Sequence, residues 1–418
     1  MLKRVKIQGY KSLVDLEVNL QPLSVLFGPN ASGKSNFLDA LQLLSKLATS
    51  NSLNEAFEPP YRGKPLESFT FGPEGIEGLL TQERVSFSLE VDVELSPSVI
   101  ATVDSQYQML EGKQAQTFVQ EKYLRYFIEI ETQPKKGVLS IADESLVALD
   151  SDGKPTELRI WMGRDRLDLY KEGSSRHFDQ KVNQSMLSLP FYIPGYASIR
   201  AMHQELANWF FFYLEPHERM RIPSPVKEVR RIGLMGEEID AFLNTLYTVD
   251  EPQFIALERA LHVIMPSITG IDVSVNNVGD VELRLMQGET LISARLLSEG
   301  TLRILGLLAL NSSKEPITLL GLEEPEIGIH PNRLDLIALL LQTRVSTGLQ
   351  VLATTHSPTL IDFIPNKSLY SFKQIKGKTI ITPLSDWRAT HSKPGTRKKV
   401  EEDDTLISER IVRGDFNA

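Results

Sequence analysis

Eight residues near the start of the chain, Gly28 to Ser35, fit the pattern G-x-x-x-x-G-K-[ST]. A loop of this kind curls so that successive backbone N–H groups point at phosphate oxygens. The apolar run Leu23–Phe27 before it predicts a buried strand, and apolar residues at helical spacing after it predict a helix over residues 36–47. A strand, a glycine-rich loop and a helix in this order restrict the fold to an α/β sheet with a phosphate site at one strand end.

Each position of this loop has an expected task in holding a nucleotide. Gly28 and Gly33 leave room for close approach, Lys34 would reach the β- and γ-phosphates, and the Ser35 hydroxyl would bind Mg²⁺. ATP and Mg²⁺ are therefore the expected cofactors. The alternative is a chance match to the pattern, which the flanking strand and helix disfavour. The residues expected to contact the nucleotide are Gly28, Pro29, Asn30, Ala31, Ser32, Gly33, Lys34, Ser35 and Asn36.

A second buried strand, predicted over residues 317–322, is followed by Glu323, Glu324, Pro325 and Glu326. Carboxylates at the C-terminal end of a strand lie where α/β sheets bind ligands. Glu323 would hold Mg²⁺ through water, and Glu324 would act as general base on the attacking water. The alternative interpretation is an ordinary charged turn after a strand.

A lone histidine, His356, follows the next predicted strand in the segment T-T-H-S-P. If that strand lies beside the one that ends at Glu323, His356 can face the γ-phosphate and act in catalysis as a switch. The alternative is a polar loop residue without a catalytic role.

The composition excludes several classes of protein. The 418 residues include no cysteine, which excludes disulfides, thiolate zinc sites and cysteine nucleophiles. No apolar run reaches the roughly 18 residues of a membrane span, and the first residues do not resemble a signal peptide. We therefore expect a cytoplasmic protein without membrane contact. Because the formal net charge is −9, any direct DNA contact needs a local basic patch.

One such patch is present in the middle of the chain, close to the aromatic run from Trp209 to Tyr213. It could contact the backbone of DNA. The favoured alternative is a solvated basic face packed on an aromatic core. The patch consists of Arg219, Arg221, Lys227, Arg230 and Arg231.

The region between the P-loop and the acidic strand end changes character along the chain. Residues 81–185 alternate apolar and polar residues, which predicts strands separated by turns. Residues 195–266 have helical spacing instead. No sustained heptad repeat occurs, so we expect a globular region rather than a coiled coil. The helices predicted there are one that includes Leu206, Phe210 and Leu214, one over 237–247 and one over 254–264.

Taken in order, these motifs resemble the ABC-type ATPase heads of the RecF, SMC and overcoming-lysogenization-defect group. In particular, the chain resembles the stand-alone AAA-type predicted ATPases of bacteria that share this head. The resemblance covers about residues 1–95 and 285–375. The similar segments are I-Q-G-Y-K-S-L at 7–13, the signature loop L-S-E-G-T at 297–301, the Walker B box E-E-P-E at 323–326 and the switch loop A-T-T-H-S-P at 353–358.

The resemblance implies a P-loop NTPase of the α/β class, whose ABC-type head is a mixed sheet flanked by helices. It also implies three parts. An ATPase lobe with the P-loop would span residues 1–95, and an inserted region, β-rich and then helical, would span 96–284. A second ATPase lobe over 285–418 would carry the signature loop, the Walker B box and the switch histidine.

In that group ATP is sandwiched between two heads. The resemblance therefore implies an ATP-dependent homodimer or higher oligomer, in which Ser298 and Gly300 of one copy act on the γ-phosphate held by the other. His330, just past the acidic cluster, would lie in a contact loop between copies.

The sequence departs from the pattern of the group in three places. Glu323 stands where the group usually has Asp, and one extra methylene can still reach a metal-bound water. Glu299 stands where transporters have Gly. The glutamine of the Q-loop has no clear counterpart, and Gln82 is the candidate.

Two functions remain open from the sequence. The first is a Mg²⁺-dependent ATP hydrolase that acts on or near DNA, in repair or in defence against phage. The segment after His356 is too short for a Toprim nuclease, so we expect a separately encoded nuclease or effector partner. The second is an ATP-gated sensor or scaffold with little turnover and no direct action on DNA. A transporter ATPase is disfavoured because the signature is not L-S-G-G-Q.

Overall fold

The structure, a computed structural model, describes residues 1–59, 61–112, 116–163, 166–171, 174–179, 184–189, 196–313, 315–385 and 406–413. These residues form two compact units. The first unit contains residues 1–24, 28–209 and 370–385, and the second contains 25–27, 210–369 and 406–413, as far as each range is described. The division into three parts that the motifs predict stays a prediction.

The strands of the described residues are β1 Leu2–Tyr10, β2 Leu13–Asn19, β3 Leu23–Phe27, β4 Val85–Glu94, β5 Tyr123–Gln133, β6 Val138–Leu149, β7 Pro155–Gly163, β8 Arg166–Lys171, β9 Ser174–Asp179, β10 Trp209–Phe212, β11 Ser224–Pro225, β12 Ile268–Val275, β13 Asp280–Gln287, β14 Thr290–Ser293, β15 Leu319–Glu323, β16 Gln350–Thr355, β17 Leu369–Ile375 and β18 Lys378–Pro383.

The helices are α1 Lys34–Thr49, α2 Leu53–Ala56, α3 Gly75–Thr81, α4 Pro97–Glu111, α5 Ala197–Ala207, α6 Ile239–Val249, α7 Glu251–Ile264, α8 Glu299–Ser312, α9 Leu334–Ser346, α10 Pro358–Asp362 and α11 Ile407–Val412. No helix of the described residues is long and apolar enough to cross a membrane.

The first unit contains an antiparallel sheet of eight strands, in the order β2-β1-β4-β5-β6-β7-β8-β9. Every second residue of β5 is buried, so one face of the strand packs inward. This pattern is what the alternation of apolar and polar residues in the sequence predicts. In the same unit α1 packs against α5, and the Ser45 hydroxyl donates a hydrogen bond of 2.7 Å to the Leu206 carbonyl. The hairpin β17–β18 also belongs to this unit, apart from Leu369.

The second unit contains β15, β16, β10 apart from Trp209, and residues 25–27 of β3, and these strands pair in the order β10-β15-β16-β3. All five residues of β15 and all six of β16 are buried, as expected for strands covered on both faces. These two strands are parallel, with Glu323 opposite Thr354. A smaller antiparallel sheet in this unit has the order β11-β13-β12, with β14 also paired to β13. The predicted α/β fold with a mixed sheet is confirmed.

One predicted helix is wrong. The helix that should contain Leu206, Phe210 and Leu214 ends at Ala207, and β10 follows at Trp209–Phe212. Four consecutive aromatic residues favour an extended conformation, and three of the four are buried in β10. The helical spacing of the leucines and phenylalanine was therefore coincidental.

The β-rich stretch predicted over residues 81–185 is interrupted by α4. Pro97 occupies the first turn of this helix, where its missing N–H costs no hydrogen bond. The pair Ser96-Pro97 was the available sequence signal for a helix start.

Candidate functional site

The glycine-rich loop begins at the end of β3 and packs against β17. Gly28 has φ 151°, and a Cβ at this position would lie 2.1 Å from the carbonyl oxygen of Phe372. That contact leaves no room for a side chain. The rings of Phe37 and Phe372 meet edge to face at 5.9 Å, which fixes α1 against the same strand.

A chain of side-chain hydrogen bonds holds the second half of the loop. Asn36 Nδ2 donates to Ser12 Oγ at 2.9 Å, and Ser12 Oγ and Thr379 Oγ1 are 2.8 Å apart. Thr379 Oγ1 donates to the Ser32 carbonyl at 2.9 Å, so Ser12 is the donor in the middle bond. Gly33 has φ 100°, and a Cβ there would lie 2.1 Å from Thr379 Oγ1. Sequence reasoning did not assign a role to Ser12 or Thr379.

Lys34 lies inside the loop and is 4% exposed. Its ammonium group donates to the carbonyl oxygens of Gly28 at 2.8 Å and Pro29 at 3.0 Å. Pro29, Asn30 and Ala31 are exposed at the tip, and Ala31 has φ 61°. The lysine is therefore within reach of an anion that the loop encloses.

The start of α1 suits a phosphate ligand. Gly33 is the N-cap residue and has no side chain to accept from the first-turn N–H groups. No N-cap side chain therefore competes with an anion for them, and the positive end of the helix dipole favours the anion further. Ser35 and Asn36 follow in the first turn and are half-buried. The residues present fit a bound nucleotide phosphate, and the role of the Ser35 hydroxyl as a Mg²⁺ ligand stays a prediction.

The acidic residues lie in the second unit, at the end of β15. Glu323 is 9% exposed, and Glu324 has φ 47°, a conformation that a non-glycine residue rarely adopts. The Glu324 N–H donates to the Thr354 carbonyl at 3.1 Å, which continues the pairing of β15 with β16. Because β16 has β15 on one side and β3 on the other, the strand that leads into Gly28 neighbours the strand that leads into His356.

The structure brings Glu324 and His356 together. Glu324 Oε1 lies 2.6 Å from His356 Nε2, and the two side chains are 21% and 33% exposed. An acid and an imidazole at hydrogen-bond distance can exchange a proton or hold each other in place. The predicted neighbourhood of the strands that carry these two residues is confirmed by the register of β15 and β16.

Glu326 holds the loop that carries His356. Its Oε1 accepts hydrogen bonds from the Thr355 hydroxyl at 2.5 Å, the His356 N–H at 3.1 Å and the Ser357 N–H at 3.3 Å. Burial raises the pKa of Glu326, and these bonds oppose that change. From the sequence, Glu326 was identified only as a member of the Walker B box, because its hydrogen-bond partners lie about 30 residues further along the chain.

The signature segment of the same unit starts α8. The exposed Ser298 is the N-cap residue, and its Oγ accepts from the Thr301 N–H at 3.2 Å. Gly300 is buried, and a Cβ on it would lie 2.1 Å from the Gly328 carbonyl oxygen. The start of α8 therefore lies directly against the turn that follows the acidic cluster.

Most residues of the basic patch contact an acidic side chain, a backbone carbonyl or an aromatic ring. Lys227 pairs with Glu238, and Arg230 Nε lies 2.8 Å from a Glu228 carboxylate oxygen. Arg221 donates to the Leu297 carbonyl at 2.8 Å, and the Arg231 guanidinium lies 3.5 Å from the Phe210 ring centroid. These contacts favour the interpretation of a mixed surface, and DNA contact through Arg219, Arg221, Lys227, Arg230 and Arg231 stays a prediction.

The remaining predicted positions occupy loops or element ends. Gln82 is exposed and follows the last residue of α3, and its role stays a prediction. His330 is exposed, and its Nδ1 accepts from the Asn332 N–H at 3.3 Å. The P-loop residues belong to the first unit, whereas Glu323, Glu324, His356, Ser298 and Gly300 belong to the second.

The glycine-rich loop before α1, the acidic end of β15 and the parallel neighbour that carries His356 define a P-loop ATPase of the AAA and ABC-type class. The chain belongs to the family described as "AAA domain, putative AbiEii toxin, Type IV TA system", whose match covers residues 23–362. No curated protein matches the chain in sequence.

Among solved structures, the chain is similar to an SMC head bound to the C-winged helix domain of ScpA, with a TM-score of 0.55 and 12% identity, over 92% of this chain and 99% of that one. This likeness shows the fold of an SMC ATPase head. Two other matches are an SMC head domain from Thermotoga maritima (TM-score 0.43, 13% identity, 91% and 98% covered) and an SMC head with an extended coiled coil, bound to the C-terminal domain of ScpA, from Pyrococcus furiosus (TM-score 0.48, 10% identity, 93% and 98% covered).

Proposed function

We propose that this protein is a Mg²⁺-dependent ATP hydrolase. The observation that carries the proposal is the contact of 2.6 Å between Glu324 and His356, at the ends of two neighbouring strands. A carboxylate held this way has the position and the partner of a general base. The P-loop architecture around Lys34 supports the same conclusion.

The chemistry uses one proton acceptor and several phosphate ligands. Glu324 accepts the proton of the attacking water while the water oxygen bonds to the γ-phosphorus and the bond to the ADP oxygen breaks. Lys34 neutralises charge on the β- and γ-phosphates. The Ser35 hydroxyl and, through water, Glu323 would be the ligands of Mg²⁺, which would supply Lewis-acid polarisation of the phosphoryl oxygens. His356 holds the Glu324 carboxylate and is the switch at this end of β16.

We propose further that the active form is a head-to-tail dimer with ATP between two copies. The exposed Ser298 at the N-cap of α8 supports this, because a helix start presents N–H groups and a positive dipole end to an anion of another molecule. Gly300 keeps that start close to the acidic turn of its own chain.

The dimer is tested with Glu324→Gln, which should bind ATP but trap it unhydrolysed. With ATP and Mg²⁺, light scattering should show a mass that doubles from the 47.0 kDa of one chain. The control is Glu324→Gln combined with Ser298→Arg, whose bulk at the exposed N-cap should keep the protein monomeric. A Glu324→Gln variant that stays monomeric with bound ATP would contradict the sandwich.

We assign the biological role to DNA repair or to defence against phage, in the cytoplasm, with a separately encoded nuclease or effector as partner. The support is the resemblance of the motifs to the RecF, SMC and overcoming-lysogenization-defect heads. The family description names a toxin of a type IV toxin–antitoxin system, which also implies a partner protein. Co-purification from the native source, with and without phage infection, tests this assignment.

A second candidate is an ATP-gated sensor or scaffold with little turnover. It is favoured by the same 2.6 Å contact, because the Glu324 oxygen that is bonded to His356 is not available to an attacking water until that contact opens. Turnover measured alone, with DNA and with a co-purified partner separates the two candidates. An increase of at least tenfold with either addition identifies the trigger, and a rate near zero under all three conditions supports the scaffold.

A further inference from the structure

One arginine of α8 has an unusual environment. Arg303 is 5% exposed, and its Nε and Nη1 have no hydrogen-bond partner among the described residues. Burial lowers the pKa of Arg303, and the acidic groups of Tyr213, Glu299, Glu326 and Glu215 oppose that change. Buried N–H groups of a guanidinium without partners are costly, and a second state in which Nε and Nη1 are paired would remove that cost.

Glu326 has a buried hydrogen-bond acceptor without a donor, whereas Arg303 has buried donors without an acceptor. Oε1 of Glu326 accepts the three bonds from the His356 loop, whereas its Oε2 is buried and has no partner among the described residues. The contact of Gly300 with the Gly328 carbonyl places the first turn of α8, one turn before Arg303, against the turn that follows Glu326. The negative charge of Glu326 favours the charged form of Arg303 and opposes the lowering of its pKa by burial. A donor for Oε2 is therefore missing, and Arg303 has two buried N–H groups without a partner among the described residues.

The other acidic groups around Arg303 do not have this need. The Glu299 side chain is 52% exposed, so water solvates it. Glu215 Oε2 already accepts from the Glu218 N–H at 2.9 Å. Tyr213 is 46% exposed. Among the four, Glu326 alone combines burial with an unpaired oxygen in the part of the chain that the structure describes.

Backbone contacts connect the helix that carries Arg303 with the turn that carries Glu326. Arg303 lies three residues after Gly300 and therefore on the same face of α8. Gly300 is in contact with the Gly328 carbonyl, and the Ile329 N–H of the same turn donates to the Glu326 carbonyl at 3.0 Å. A shift of the first turn of α8 therefore moves Arg303 relative to the Glu326 carboxylate.

We propose that Arg303 is a positioning residue that couples the signature segment Ser298–Gly300 to the His356 loop through the free Oε2 of Glu326. When a ligand engages Ser298 and α8 shifts, Arg303 donates to Oε2. The carboxylate then holds the loop in a second arrangement, in which His356 releases Glu324. This coupling rests on the proposed function, because it regulates the same hydrolysis.

The first test compares three variants of the full chain in ATP turnover. Arg303→Met keeps the length of the side chain but removes its charge and donors, and Arg303→Lys restores the charge alone. We expect kcat to fall at least tenfold in Arg303→Met with KM for ATP unchanged within about twofold, and to recover partly in Arg303→Lys. The melting temperature of Arg303→Met should be equal to or above that of the wild type, because an unpaired buried charge is removed. The matched control is Arg344→Met, which removes another partly buried arginine of the same unit.

A double-variant cycle with Glu326→Gln checks the partner. If Arg303 acts through Glu326, Arg303→Met combined with Glu326→Gln should be no slower than the slower single variant. Multiplied losses, an unchanged kcat in Arg303→Met, or a loss of kcat that follows a lowered melting temperature as in Arg344→Met would each overturn the proposal.

The second test does not depend on hydrolysis and separates the two proposals. In protein labelled at histidine Cε1, the His356 resonance is assigned by its loss in His356→Asn. With a non-hydrolysable ATP analogue and Mg²⁺ bound, the His356 resonance of Arg303→Met should differ from that of the wild type, and the resonance of Arg344→Met should not. A wild type that does not hydrolyse ATP defeats the proposed function, whereas an unshifted His356 resonance in Arg303→Met defeats the coupling whether or not ATP is hydrolysed.

Discussion

Replacing Thr379 by valine tests whether the hydrogen-bond chain at the loop is what prepares it for nucleotide. Thr379 is 4% exposed, and its hydroxyl both accepts from Ser12 and donates to the Ser32 carbonyl. Valine has nearly the same shape but makes neither bond. Two lost bonds of this kind, one of which leaves a carbonyl unpaired, cost about 1–3 kcal/mol.

Without these bonds, ATP binding itself has to supply the free energy that orders the loop around the phosphate. The loss therefore weakens the binding constant for ATP. Since about 1.4 kcal/mol corresponds to a factor of ten, Thr379→Val should weaken ATP binding roughly tenfold. The assay is a fluorescence titration with a labelled ATP analogue and Mg²⁺. Thr379→Ser retains the hydroxyl and should bind within about twofold of the wild type.

The matched control is Thr382→Val on the same strand, β18. Thr382 lies three positions from Thr379 and therefore on the opposite face of the strand, so its replacement should leave binding unchanged. If Thr379→Val bound ATP as tightly as Thr382→Val, the hydrogen-bond chain would not be what holds the loop, and the role assigned to Thr379 would be refuted.

Two further predictions concern stability and the signature segment. Burial raises the pKa of Glu144 to about 7, so the stability that its protonated form contributes is complete below about pH 4.5 and is lost as the pH rises through 7, by up to about 3 kcal/mol. Urea unfolding between pH 5 and 8.5 should show this decline, and Glu144→Gln should flatten it; a decline of equal size in both proteins would contradict the assignment to Glu144. Gly300→Ala places a methyl group 2.1 Å from the Gly328 carbonyl, which should separate α8 from the acidic turn and lower ATP turnover at least tenfold, whereas Gly72→Ala, with no atom within 4 Å, should leave turnover unchanged. Equal turnover in the two alanine variants would show that this contact is dispensable.

The sequence predicted those parts of the candidate site that consist of consecutive residues with a recognisable local pattern. The strand–loop–helix around Lys34 and the buried strand before Glu323 have local patterns that only a few structures satisfy. That the strands carrying Glu324 and His356 are neighbours was predicted from one further assumption, that consecutive parallel strands lie side by side. The contact between the two side chains was not predicted.

The parts that the sequence did not predict depend on partners far apart in the chain. Ser12 and Thr379 are separated by 367 positions, and no local pattern marks either as a support of the loop. The unpaired atoms of Arg303 and Glu326 appear only when burial is known. Helical spacing at Phe210 was misleading because an aromatic run in a sheet can show it by chance.

The most direct test of the central claim is phosphate release from ATP by the wild type and two single variants. With saturating ATP and Mg²⁺, the wild type should release phosphate, and chelation of Mg²⁺ should stop the release. Lys34→Ala should lose both binding and turnover. Glu324→Gln should still bind ATP but release phosphate at least about a hundredfold more slowly, because the general base is absent. If Glu324→Gln released phosphate at the wild-type rate, the assignment of Glu324 as the base beside His356 would be contradicted.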